Sequence, residues 1–307
     1  MTDIEIKDLK KQYLEGEIVE GNLTISIDEG VKPREIRFSA YGEENTSLSL
    51  DDPTTFCSES NVFYTEDLSD FLKLIWNKGA PSDGAGRRIP QVTHNVPFQF
   101  TIPEWAPESY SGKHVWITYR IRANMDLPNK YDVNKEAYFD VLNSNKAPKS
   151  NGSTMVVEAD KASSTTTIFG SQQTVEKEGG IRFELEKNSH EYYRGETITG
   201  KVIIENDTEL RKNLKSIEIT LKSLEYATAQ GKQATSTIQK YLKIIKWKTE
   251  MGEEGENNII IPFDIQIPQE ANRSYVWTLS EYYWVLEAKI NVKLGPDLHA
   301  KARVTVI

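Results

Sequence analysis

One eight-residue pattern occurs twice. The first copy reads Val96-Pro97-Phe98-Gln99-Phe100-Thr101-Ile102-Pro103 and the second Ile261-Pro262-Phe263-Asp264-Ile265-Gln266-Ile267-Pro268. Each runs on to a Ser-Tyr pair, Ser109-Tyr110 and Ser274-Tyr275, and the step from Pro97 to Pro262 equals that from Tyr110 to Tyr275. Phe98, Phe100 and Ile102 alternate with polar neighbours, as do Phe263, Ile265 and Ile267. This period of two marks a strand with one face in a core and one in water. A helix would scatter the same side chains over opposite sides. The flanking prolines are read as bounding each strand, where a missing N–H costs no ladder bond.

A second motif is also doubled. Gly16, Glu17, Gly21, Leu23 and Ile25 recur, at one constant offset, as Gly195, Glu196, Gly200, Val202 and Ile204. Two motifs in the same order, each present twice, imply a duplicated domain, and the period is far too long for a solenoid. The offset is smaller for the later motif, so the first copy holds extra residues between the two. Leu68, Phe71, Leu72 and Ile75 fall there at helical spacing, with Thr65 as candidate N-cap and Glu66 and Asp67 in the first turn. The expectation is one short amphipathic helix at 67–76.

The expected fold class is all-β: two tandem Ig-like sandwiches related by duplication. The first spans 1–143 and the second 180–307, with a Ser/Thr-rich connector at 144–179. In the second half, strands are read at 181–186, 202–205, 217–221, 241–247, 259–267, 283–292 and 302–307. Residues 1–142 hold 24 Asp/Glu against 15 Lys/Arg, whereas the remainder holds 22 of each. Nucleic-acid binding is therefore not expected of the first half. The N-terminus lacks the basic and apolar regions of a signal peptide, and Cys57 stands alone, so a cytoplasmic protein is expected.

The motifs resemble the arrestins. Tyr13-Leu14-Glu15-Gly16-Glu17, the Pro97–Pro103 strand, Pro107–Gly112 and Tyr119–Pro128 resemble the arrestin N-domain. Gly180-Ile181, Tyr193–Gly200, Ile204–Thr208 and Val304–Ile307 resemble the arrestin C-domain. The resemblance implies two arrestin-type sandwiches and a non-enzymatic adaptor. Its partners would be proteins, either cytoplasmic tails of membrane proteins or trafficking subunits, with no cofactor. The wider clan also contains α-arrestins, the arrestin-like retromer subunit and prokaryotic sporulation-control proteins. The last give an alternative: a stress- or sporulation-type regulator working through soluble partners. The chain has no Pro-Pro-x-Tyr motif of the α-arrestin kind.

Other chemistry finds little support. Gly195–Val202 nearly matches a phosphate-cradling loop, but Val202 replaces the hydroxyl that would hold magnesium, and a β-like stretch follows. His94, His114, His190 and His299 sit in no zinc motif, so no metal is expected. Asp126, Asp132 and Asn134 could collect a cation, though a solvated loop is the plainer reading. Two binding surfaces are expected. One is an edge strand at Ile4, Glu5, Ile6 and Lys7, able to take an extended partner segment. The other is a lysine-rich strand, Lys240, Lys243, Lys246 and Lys248, joined by Lys222 and Lys232. It would touch anionic lipid or phosphate at the periphery of an acidic membrane, unless its lysines only discourage edge-to-edge aggregation.

Overall fold

Alternation of apolar and polar side chains, broken by glycine and proline, sets out two strand-built units in the computed structural model of this chain. It describes residues 2–27, 33–49, 56–69, 93–127, 131–142, 155–157, 163–168, 171–176, 181–187, 191–205, 213–246, 258–293 and 297–307. The units are Met1–Ser144 with Ala227–Ala234, and Asn145–Tyr226 with Thr235–Ile307.

The first unit holds β1 (Asp3–Lys7), β2 (Gln12–Leu14), β3 (Ile18–Ser26), β4 (Glu35–Ser49), β5 (Phe56–Asp67), β6 (His94–Thr101), β7 (Tyr110–Ser111), β8 (Val115–Asp126) and β9 (Val133–Leu142). One sheet has the order β1-β3-β6, the other β2-β9-β8-β4-β5 with β7 on β8. Phe98 of β6 meets Phe38 of β4 edge-on at 4.9 Å, and Phe100 lies 6.3 Å from Phe139 of β9, so the two inner faces share one core.

The second unit repeats this plan. Its strands are β13 (Ile181–Leu185), β14 (Glu191–Tyr192), β15 (Thr197–Glu205), β16 (Leu214–Ala229), β17 (Lys232–Lys246), β18 (Asn258–Gln266), β19 (Tyr275–Val276), β20 (Ser280–Val292) and β21 (Leu298–Val306), except that Ala227–Ala234, where β16 turns into β17, counts with the first unit. The larger sheet runs β14-β21-β20-β16-β17 with β19 on β20, strand for strand like the first. The smaller runs β10-β13-β15-β18, where β10 (Met155–Val157) comes from the stretch read as connector. That stretch also forms a hairpin of β11 (Ser163–Ile168) and β12 (Ser171–Glu176). The all-β duplication read from the sequence is therefore the observed architecture.

The repeated Tyr-x-x-Gly-Glu motif is a turn that its glutamate ties shut. Gly16 and Gly195 have φ of +74° and +78°, a region that favours glycine. Glu17 Oε2 accepts the Leu14 N–H at 2.8 Å, and Glu196 Oε2 accepts that of Tyr193 at 2.8 Å. Lys10 Nζ donates to Glu17 at 2.7 Å and Lys187 Nζ to Glu196 at 2.9 Å. The Lys10 ammonium, and after it the Leu14 N–H, hold the Glu17 carboxyl below the usual carboxylate range. A lowered folded-state pKa gives stability that is present above the unfolded value and lost as pH falls through the folded one. The margin in Tm of the parent chain over Glu17→Gln should therefore shrink as pH drops from roughly 5 to 3. Parallel thermal melts check this, and a constant margin would discount the ion pair.

Two expectations need correction. Thr65 does not cap a helix: Thr65, Glu66 and Asp67 pair with Tyr41, Ala40 and Ser39 and complete β5. The turn opens two residues later, where Asp67 Oδ1 accepts the Ser69 N–H at 2.9 Å. The remaining positions of the expected helix, with Phe71, Leu72 and Ile75, lie outside the described residues. Pro97 and Pro262 do not bound their strands but sit inside β6 and β18. Both are edge strands, where the missing N–H can face away from the ladder.

Candidate partner-binding edges

An edge strand is useful only if its core side is anchored and its outer side is open. In β1, Ile4 is fully buried and Ile6 half-buried, while Glu5 and Lys7 face outward. The strand pairs with β3 from Asp3↔Ser26 to Lys7↔Asn22. Among the described residues no strand pairs with its other side. The opposite edge of the sheet, β6, is interrupted by Pro97, whereas β1 contains no proline. Lys7 pairs with Glu5 at 2.5 Å along the outer row, which raises its pKa, and Lys135 reaches Asp3 at 3.8 Å.

The second unit shows what such an edge accommodates. Ile204 and Val202 of β15 are the repeat counterparts of Ile25 and Leu23 of β3. They pair with Ile181 and Phe183, so these two residues of β13 stand where Ile4 and Ile6 do in β1. There the outer edge is covered: β10 pairs antiparallel with β13, Met155↔Leu185, Val156↔Glu184 and Val157↔Phe183. The equivalent backbone in β1 begins at Ile6 and, among the described residues, stays uncovered. β1 stops one residue short of the backbone that β10 covers in β13, because Asp8 turns away at φ +62°. A shallow hollow of about 510 Å3 opens there, lined by Asp8, Gly21 and Phe98 among others.

The lysine set is not brought to one surface. Lys222 of β16 is half-buried and bonds Glu287 at 2.7 Å, with Lys301 and His299 approaching the same carboxylate at 3.6 and 3.8 Å. Lys243 bonds Asp264 at 2.5 Å. Lys232 and Lys240 are exposed, Lys246 closes β17, and Lys248 lies outside the described residues. The signals for these partners, Glu287 and Asp264, are 65 and 21 residues away in sequence.

The remaining candidates resolve into structural roles. Gly195–Val202 runs through a turn into β15, a strand and not a phosphate-binding helix. Asp126 pairs with Arg34 at 3.1 Å, Asp132 accepts the Leu127 N–H and Asn134 accepts from Asn124. Among the described residues no three His, Cys, Asp or Glu gather as metal ligands. Cys57 is buried. No helix among the described residues is long and apolar enough to cross a membrane.

Residues 2–146, the whole of the first sandwich, match the family described as Arrestin (or S-antigen), N-terminal domain. The chain is thus arrestin-like over its first sandwich. It is 24% identical over 165 residues to Arrestin domain-containing protein 17 of Caenorhabditis elegans, covering 52% of this chain and 39% of that one. It is 25% identical over 207 residues to Arrestin domain-containing protein 1 of Mus musculus, covering 67% and 43%, with the Rattus norvegicus protein of the same name matching equally. The matched region thus spans about two fifths of these arrestin relatives.

Proposed function

We propose that this arrestin-like chain is a non-enzymatic adaptor on the cytoplasmic side, binding tails of membrane proteins or trafficking subunits by strand addition to β1. The observation that carries this reading is the contrast between two equivalent edges. β13 carries an added strand from the connector, while β1, with the same anchoring and the same pairing to its neighbour, carries none among the described residues. Main-chain bonds along Asp3–Lys7 would supply affinity, and alternate side chains, meeting Ile6 on one face and Glu5 and Lys7 on the other, selectivity.

Partners recovered from native cytosol and membrane fractions supply the tail peptides for the test. Amide exchange at residues 3–7 should slow on adding such a peptide to the full chain. A peptide that binds while exchange at 3–7 stays unchanged defeats the assignment to β1.

A further inference from the structure

A second edge has a different character. β17 ends the larger sheet of the second unit, and among the described residues no strand pairs with its outer side. Its 15 residues include Lys232, Lys240, Lys243 and Lys246, with no Asp, Glu or Pro. Beneath it, Ile245 is buried and Tyr241 stacks on Trp284 at 6.2 Å, so the backbone is held from the core side. Outward stand Lys240, Leu242 (50% exposed) and Ile244 (51% exposed). A long aliphatic edge of this kind invites pairing unless something covers it. Antiparallel pairing with its own copy would set lysine rows against one another, which is unfavourable.

We infer that the β17 edge docks an extended segment of another protein in which acidic and aliphatic side chains alternate. The segment joins the sheet as one more strand. Its aliphatic side chains pack beside Leu242 and Ile244, and a carboxylate between them meets Lys240. The equivalent edge of the first unit, β5, carries Glu59, Glu66 and Asp67 and no Lys or Arg, so the same segment is repelled there. A flat acidic membrane fits less well, because two of the cations it would use, Lys222 and Lys243, are already held by Glu287 and Asp264.

The test uses the full chain and a labelled synthetic peptide alternating glutamate with valine. A lysine-valine peptide, a proline-interrupted glutamate-valine peptide and phosphatidylserine vesicles run beside it. The glutamate peptide should bind about tenfold more tightly than either other peptide, equivalent to two or three cross-strand pairs. Its affinity should weaken with salt, and amides of 238–246 should gain protection. Lys240→Glu should lose most of the affinity and Lys240→Arg retain it. Leu242→Ser should weaken binding as well, with Lys240→Glu deciding the matter if the serine variant folds poorly. Equal binding of the proline-interrupted peptide, protection confined to 3–7, or Lys240-dependent vesicle binding without peptide protection at β17 would each overturn the inference.

Discussion

Replacing Trp284 with alanine should cost about 3–5 kcal/mol of stability, the range for deleting a buried aromatic side chain. Its side chain is fully buried on β20, stacked on Tyr241 at 6.2 Å and edge-on to Tyr282 at 6.3 Å. Its indole Nε1 donates to the Asn272 carbonyl at 2.9 Å. At the offset that carries Pro97 onto Pro262, the counterpart of Trp284 is Tyr119 and that of Asn272 is Pro107. Tyr119 Oη donates to the Pro107 carbonyl at 2.7 Å, which repeats the contact with a different donor. The two units thus use different side chains for one task, pinning the loop after β6 or β18 to the core. Trp284→Phe keeps most of the burial and removes the donor, so it should cost about 1–2 kcal/mol, and Tyr119→Phe about 1 kcal/mol. Urea titrations measure each loss, and amide exchange should place the Trp284 effects in residues 181–307. A Trp284→Ala loss under about 1 kcal/mol would contradict the packing described here.

Legibility followed the purity of the alternation. Strands whose inner face is chiefly apolar, such as β6, β18 and β20, could be placed from the sequence within a few residues. β4 could not, although it is among the longest strands. Its inner face begins Ile36, Phe38, Ala40 but continues Gly42, Glu44, Thr46 before Leu48, and the buried Glu44 and Thr46 erase the pattern. β16 starts from Ile217, Ile219 and Leu221 and then turns inward Ser223 and Glu225, so only its first half was visible. β5 buries Cys57 but no large hydrophobe at its open edge, and its last residues looked like a helix start because Thr, Glu and Asp serve equally in both roles.

The β1 residues were readable because Ile4 and Ile6 alternate with charges. Whether that strand lies at an edge was not, since edge status belongs to the partners and not to the strand. The same holds for the lysines. Their number is a property of the sequence, but Glu287 and Asp264 decide which of them still face solvent as cations, and those pairings exist only after the sheets have formed.

Gly200→Ala should destabilise the second unit by about 2–3 kcal/mol, whereas Gly21→Ala, its duplicate, should cost about 1 kcal/mol. Both glycines sit opposite a phenylalanine, Gly21↔Phe98 and Gly200↔Phe263, but different atoms crowd the space a side chain would take. An alanine Cβ at Gly200 would come within 2.5 Å of the Glu184 carbonyl and 3.2 Å of Leu185 Cα. Those are backbone atoms of β13, so relief requires parting β13 from β15. At Gly21 the closest atom is the tip of the Phe98 ring at 2.5 Å, with the Lys7 carbonyl at 2.9 Å. A ring can tilt, and β1 ends at Lys7, so the end of that strand can give way. Alanine also recovers about 0.5–1 kcal/mol of glycine's conformational cost, which narrows the smaller penalty more than the larger. Denaturant unfolding should therefore rank Gly200→Ala well below Gly21→Ala in stability. Exchange in Gly200→Ala should quicken first at 183–185, the residues that hold β10 in place. Equal losses at the two glycines would mean that β13 yields as readily as the open end of β1.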